Sequence, residues 1–175
     1  DYIGIAADTL CVALTNLAKI SERRTDRMIN SHFSEMPAFL VRNPGLNSGY
    51  MIVQYTAAGL YAEMKTLSMP SSIDSVSTCG NQEDPVSLAY NAVIKAYKVS
   101  QKLQSVVAIE VLVACQALDF HDVNKASTAT KAVYDLVRSE VPVADNDRAF
   151  YADMASVIDQ VRSGKINDLV AHHLN

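Results

Sequence analysis

Residues 85–120 read PVSLAYNAVIKAYKVSQKLQSVVAIEVLVACQALDF. Proline is favoured at the first helical position, where its missing N–H costs nothing, so Pro85 marks a start. Asp84 before it is a good N-cap and suits the positive helix end. No further proline and no glycine interrupts the stretch. Leu88, Val93, Ile94, Tyr97 and Leu103 form an apolar stripe at helical spacing. From Val106 to Ala117 the pattern is apolar nearly all round, with Glu110 set inside it. The spacing predicts one helix of about 35 residues, about 50 Å long at 1.5 Å per residue. Such a helix sits at the centre of a multi-helix bundle or an oligomer. Glu110 needs a partner there, because an unpaired buried carboxylate is costly.

The flanks agree. A helix is expected over 49–67, capped by Asn47 or Ser48 and apolar on most faces. Another is expected over 3–30, with Leu10, Leu14, Leu17 and Ala18 as its stripe. Glu22, Arg23, Asp26 and Arg27 allow charge pairs one turn apart, worth about 0.2–0.5 kcal/mol each. Pro37, Pro44 and Gly45 punctuate a loop over 32–46, whose Phe33, Met36, Phe39 and Leu40 should pack on something. Two more helices follow, over 125–140 and 148–162, divided at Val141-Pro142. Ser163-Gly164 ends the second, leaving a tail to Asn175. No segment alternates as a strand, and no repeat is present. The expected class is all-α, with long antiparallel helices forming part of a central multi-helix bundle over residues 1–175.

Composition narrows the function. Of 175 residues 49% are hydrophobic, enough for a core, and the net charge is −4. Lys and Arg are scattered rather than clustered, so no nucleic-acid partner is expected. The longest near-apolar run, Val106 to Cys115, is short for a bilayer, so no membrane association is expected. Cys11, Cys79 and Cys115 are widely separated and odd in number. They fit neither a disulfide framework nor a metal site, and suggest a reducing cytoplasm. The chain starts at Asp1 in what reads as mid-helix, which suggests a piece of something longer.

The other informative stretch is SMPSSIDSVSTCGNQEDPVS, residues 68–87. A long polar segment between two helices is often functional. Gly80 suggests a backbone conformation that other residues avoid. Asn81, Gln82 and Glu83 are left unexplained by the helix start. A carboxylate beside two amides can orient a polar ligand or act as an acid or base. Weaker candidates are Asp119, His121 and Asp122 as metal ligands and Cys79 as a nucleophile. His172 and His173 read as solvated tail residues. No Gly-x-Ser-x-Gly and no phosphate loop occurs.

Several motifs together resemble the aromatic amino acid ammonia-lyases, the histidine, phenylalanine and tyrosine ammonia-lyase family. They are Ser21-Glu22-Arg23-Arg24, the run from Pro44 to Met51, Gln54 to Ala58, and Asn81-Gln82-Glu83-Asp84 with Val86-Ser87. Val137-Arg138, Val141-Pro142, Asp147-Arg148 and Val161 to Gly164 extend the likeness over essentially the whole chain. The resemblance implies the C-terminal third of a homotetrameric enzyme. It also implies a methylidene-imidazolone (MIO) electrophile formed from Ala-Ser-Gly, a tripeptide absent from these residues. On this reading the upstream catalytic portion lies outside the chain, and the chain alone is inactive. By position, Glu83 matches a pocket glutamate that meets the substrate imidazole, where partial desolvation would raise its pKa. Met51 matches a residue touching the substrate side chain. Gln82 matches a glutamine near the prosthetic group, with Asn81 beside it. The implied reaction removes ammonia from an aromatic amino acid, histidine to urocanate first. A tyrosine or phenylalanine lyase, an aminomutase, and an inactive helical scaffold are the alternatives. Pro85 stands where histidine lyases usually have His, and Cys79-Gly80 where they have Ser-Ala. These departures flank the pocket, where tyrosine lyases and aminomutases differ.

Overall fold

A computed structural model describes residues 1–172; His173 lies outside the described residues. Among the described residues seven α-helices form: α1 (Tyr2–Ile29), α2 (Ser31–Ser34), α3 (Met51–Leu67), α4 (Ala89–Leu118), α5 (Thr128–Arg138), α6 (Tyr151–Arg162) and α7 (Lys165–Ala171). Among the described residues the only β pairing is two isolated bridges, Pro44 with Asn47 and Thr78 with Glu83. The fold is all-α, as its periodicity predicts.

Two compact units divide the chain. The first comprises residues 1–20 and 59–103, the second residues 21–58 and 104–175. In the first, α3 runs antiparallel to both α1 and α4. Ser68 donates to the Cys11 carbonyl, Thr15 to that of Met64, and Lys102 pairs with Glu63 at 2.5 Å. α1 and α4 run parallel: Gly4 faces Ala89, and Asp8 pairs with Lys95 at 2.9 Å. A Cβ on Gly4 would lie 3.1 Å from the Ala89 Cα, so the two backbones are close.

That close approach changes the reading of α1. Its buried seam is Gly4, Ala7, Asp8, Cys11, Thr15 and Ala18, mostly small residues. Of the expected stripe only Ala18 is buried. Leu14 is intermediate, and Leu10 and Leu17 are exposed. Small side chains let helices meet closely, and larger ones cannot enter that interface.

In the second unit the apolar run of α4 is mostly covered. Val106, Ala108, Ile109, Leu112, Val113 and Cys115 are all buried. Glu110 has the expected partners: Ser21 Oγ donates to it at 2.6 Å and Arg24 ion-pairs with it, one N···O contact being 2.9 Å. Glu22 is buried rather than paired on the surface, taking bonds from Arg23 and, at 2.6 Å, from Gln54 Nε2. In the 32–46 loop Leu40 and Val41 are buried, whereas Phe33 is exposed, 5.0 Å beneath the Arg27 guanidinium. Ser127 caps α5 by accepting from the Thr130 N–H. Residues expected to be tail form α7, which turns at Gly164 (φ +82°) and packs on α5 and α6.

By length and composition alone α1 and α4 could each cross a membrane. The expectation from the short Val106–Cys115 run is corrected in this respect, because isolated charged residues such as Asp8, Lys19 and Lys102 do not end a long apolar helix. The core helix of a bundle is equally long and apolar, and half of the apolar stretch of α4 is buried.

Candidate functional site

Residues 75–86 fold into a hairpin without regular strands. The Thr78 N–H donates to the Glu83 carbonyl at 2.9 Å, and the Glu83 N–H returns to Thr78 at 3.3 Å. Side-chain hydroxyls from one arm supply further rungs in the same register. Ser75 Oγ accepts from the Val86 N–H at 2.7 Å and lies 2.9 Å from the Val86 carbonyl. Ser77 Oγ donates to Asp84 at 3.4 Å, and Thr78 Oγ1 to Glu83 Oε2 at 2.7 Å. The serine-rich sequence thus serves as lacing. Pro85 stands in the returning arm, where its lack of an N–H removes none of these bonds.

This moves the start of α4. The helix begins at Ala89, and the Leu88 carbonyl accepts from the Asn91 N–H at 3.0 Å. Asp84 is therefore not the helix cap: it stands five positions before Ala89 and its carboxylate is engaged by Ser77. Local propensity at Asp84-Pro85 loses to the hairpin.

The hairpin tip is left-handed. Cys79, Gly80 and Asn81 have φ of +52°, +62° and +70°. Gly80 takes the conformation expected of it and Asn81 tolerates it, while Cys79 takes it at a cost of about 1–2 kcal/mol. Asn81, Gln82 and Glu83 are all exposed at this tip. The expected partial desolvation of Glu83 is not met within this chain, because the arms pair with each other and leave the tip uncovered by the described residues. The Asn81 and Gln82 side chains make no hydrogen bond among the described residues, so their amides are open to a ligand. Asp8 fixes the base of the loop, its Oδ2 accepting from the N–H groups of Ser71 (2.7 Å) and Ser72 (2.8 Å). Burial alone would raise the Asp8 pKa; Lys95 and the two serines more than offset this and hold it below the usual value.

Met51 belongs to the second unit and is the first residue of α3. A clamp sets that helix start. Asp147 accepts from the Ser48 N–H at 2.9 Å and the Gly49 N–H at 2.7 Å, and Asn47 Oδ1 accepts from the Asp147 N–H at 3.1 Å. Motifs a hundred residues apart thus form one joint. Met51 lines a cleft of about 420 Å³ with Asn30, His32, Phe39, Gln54 and Tyr55. Nothing in the spacing around Asn30 and His32 shows which helix face they meet, whereas Gln54 and Tyr55 are marked in the chain by the motif Gln54 to Ala58.

The aromatic amino acid lyase family model matches residues 1–139. The chain belongs to the aromatic amino acid lyase family. It is 46% identical to the histidine ammonia-lyase of Myxococcus xanthus over 164 residues, covering 94% of this chain and 32% of that protein. Among solved structures, histidine ammonia-lyase from Trypanosoma cruzi superposes with a TM-score of 0.92 at 40% identity, covering 96% of this chain and 33% of that one. Tyrosine aminomutase from Streptomyces globisporus also gives 0.92, at 35% identity, over 97% of this chain and 32% of that one. The chain spans about a third of the length of these relatives.

In this aromatic amino acid lyase chain the Asp119 carboxylate is occupied by its own neighbours. Asp119 pairs with Arg138 and accepts from Tyr134 at 2.5 Å, and no metal-holding cluster forms among the described residues. The Cys115 thiol is buried and its pKa is pushed up to about 11, which leaves it unreactive. His172 is exposed. Cys79 is an exposed free thiol at the tip.

Proposed function

We propose that this chain is part of an ammonia-lyase that converts histidine to urocanate. The observation that carries the reading is Glu83, whose carboxylate stands at the hairpin tip with one oxygen engaged by Thr78. An imidazole N–H is a fitting donor to the other oxygen. The likeness to histidine ammonia-lyases supports the same substrate.

Each residue then has a role. Glu83 accepts from the imidazole and orients the ring. Met51 contacts the substrate side chain. Gln82 and Asn81 offer open amides to the substrate and the prosthetic group. Two amides beside a carboxylate are a donor set that fits a polar, carbonyl-bearing ring such as MIO. These residues contain no Ala-Ser-Gly to form it. When bound, MIO supplies the electrophile that the elimination of ammonia needs.

The activity belongs to the complete polypeptide, which we propose acts in the cytoplasm as a homotetramer. An outward apolar seam on α1 supports self-association: Ile3, Ala6, Leu10, Ala13, Leu17 and Ile20 are all exposed. Their alternating three- and four-residue spacing is that of a helix-pairing face.

Assaying the complete enzyme with histidine, tyrosine and phenylalanine side by side tests the substrate; turnover confined to tyrosine or phenylalanine overturns histidine. Glu83→Gln should reduce histidine turnover at least about tenfold. It should leave unfolding free energy within about 0.5 kcal/mol, as the side chain is exposed. The likeness to tyrosine aminomutase favours a second reading, in which a β-amino acid is returned. Product analysis by chromatography separates the two.

A further inference from the structure

We infer that Thr78 is a positioning residue that sets the rotamer of Glu83 and reserves one of its oxygens for the substrate. This rests on the reading of Glu83 as a substrate-binding carboxylate. The Thr78 Oγ1 hydroxyl donates to Glu83 Oε2 at 2.7 Å. The same two residues exchange both backbone hydrogen bonds. Their side chains therefore leave one face of a closed rung, directly below the turn Cys79-Gly80-Asn81-Gln82. An exposed glutamate otherwise samples many rotamers, and fixing it costs entropy when substrate binds. The rung removes that freedom beforehand. It also divides the carboxylate: Oε2 is held by the protein, and Oε1 is left as the acceptor for an N–H donor.

Other features support the rung rather than compete with it. The three left-handed residues of the turn keep Thr78 and Glu83 opposite one another across only four intervening positions. Ser77 and Ser75 hold Asp84 and Val86 in the same register, so the arm cannot slip by one residue without losing every hydroxyl contact. β-branching at Thr78 restricts χ1 and limits where its hydroxyl can point.

The test uses the complete enzyme, histidine as substrate, and a mutant cycle. Thr78→Val keeps the shape and removes the hydroxyl; it should lower kcat/KM about tenfold, the scale of one hydrogen bond to a charged group. Thr78→Ser keeps a donor and should restore activity to within about threefold of the parent. In a Glu83→Gln background Thr78→Val should add less than about twofold, because the residue acts through the carboxylate. Thr78→Ala repeats the comparison should the valine variant not fold. Full activity of Thr78→Val or Thr78→Ala beside an impaired Glu83→Gln overturns the role of Thr78 alone. Equal losses in both backgrounds assign Thr78 to loop stability and also overturn it. Full activity of Glu83→Gln overturns the underlying reading instead.

Discussion

Gly49 has φ of +51°, and a Cβ built on it would stand 2.5 Å from the Phe39 carbonyl oxygen. Both backbone and space demand glycine there. Gly49→Ala should therefore cost about 2–4 kcal/mol in a urea melt. Gly80 shares the left-handed backbone, at +62°, but nothing lies within 4 Å of its missing Cβ. Gly80→Ala should cost only about 1 kcal/mol. Asp8 carries a pH dependence. Its folded pKa is lowered, so its contribution is present above the unfolded pKa of about 3.9 and is lost as pH falls through the folded value. Asp8→Asn should flatten the acid limb of stability below about pH 4, measured by denaturant melts. The residue types at Gly80 and Glu83 could be read as special from the chain, whereas Gly49, expected as the first residue of a helix, instead takes a left-handed turn before α3 begins at Met51. The crowding at Gly49 could not be read there, since the crowding atoms belong to Phe39 and Val41.

At the scale of elements, the interiors of α1, α3 and α4 were legible because apolar periodicity is a local signal. Their ends were less so. Asp84-Pro85 has the chemistry of a helix start, yet α4 opens at Ala89 because Ser75, Ser77 and Thr78 draw residues 83–86 into a hairpin. Lys165–Ala171 has seven residues and no side-chain cap. A helix so short owes its existence to packing on α5 and α6, which no propensity reveals. The start of α3 depends on Asp147, a hundred residues away. Asp147→Ala should lose the Ser48 and Gly49 bonds and destabilise the chain by about 1–2 kcal/mol, read as a shifted urea midpoint. Glu110→Ala should cost a similar amount, about 1–2 kcal/mol, by leaving the buried Ser21 hydroxyl without its acceptor.

Over the whole molecule, the length and apolar run of α4 suggest association through that helix, and α1 offers a second exposed apolar face. Val106 to Ala117 of α4 is mostly covered within the chain, but Tyr90, Val93 and Tyr97 of α4 are exposed, as are Ile3, Leu10, Leu17 and Ile20 of α1. Leu10→Lys with Leu17→Lys should move sedimentation of the chain toward monomer; unchanged association would remove α1 from the contact. The sequence by itself determined the helical class, the number of long helices and the polar insert bearing Asn81, Gln82 and Glu83. Each of these follows from composition and spacing within a few turns. Only the tertiary structure decided which stripe of α1 is buried, that Asp147 clamps the start of α3, and that Thr78 holds Glu83. Those depend on the chain meeting itself. A three-dimensional contact can override the local preference at Asp84-Pro85, and it alone buries Gly4, Ala7 and Cys11 rather than Leu10 and Leu17, with Gly4 at the close approach to α4.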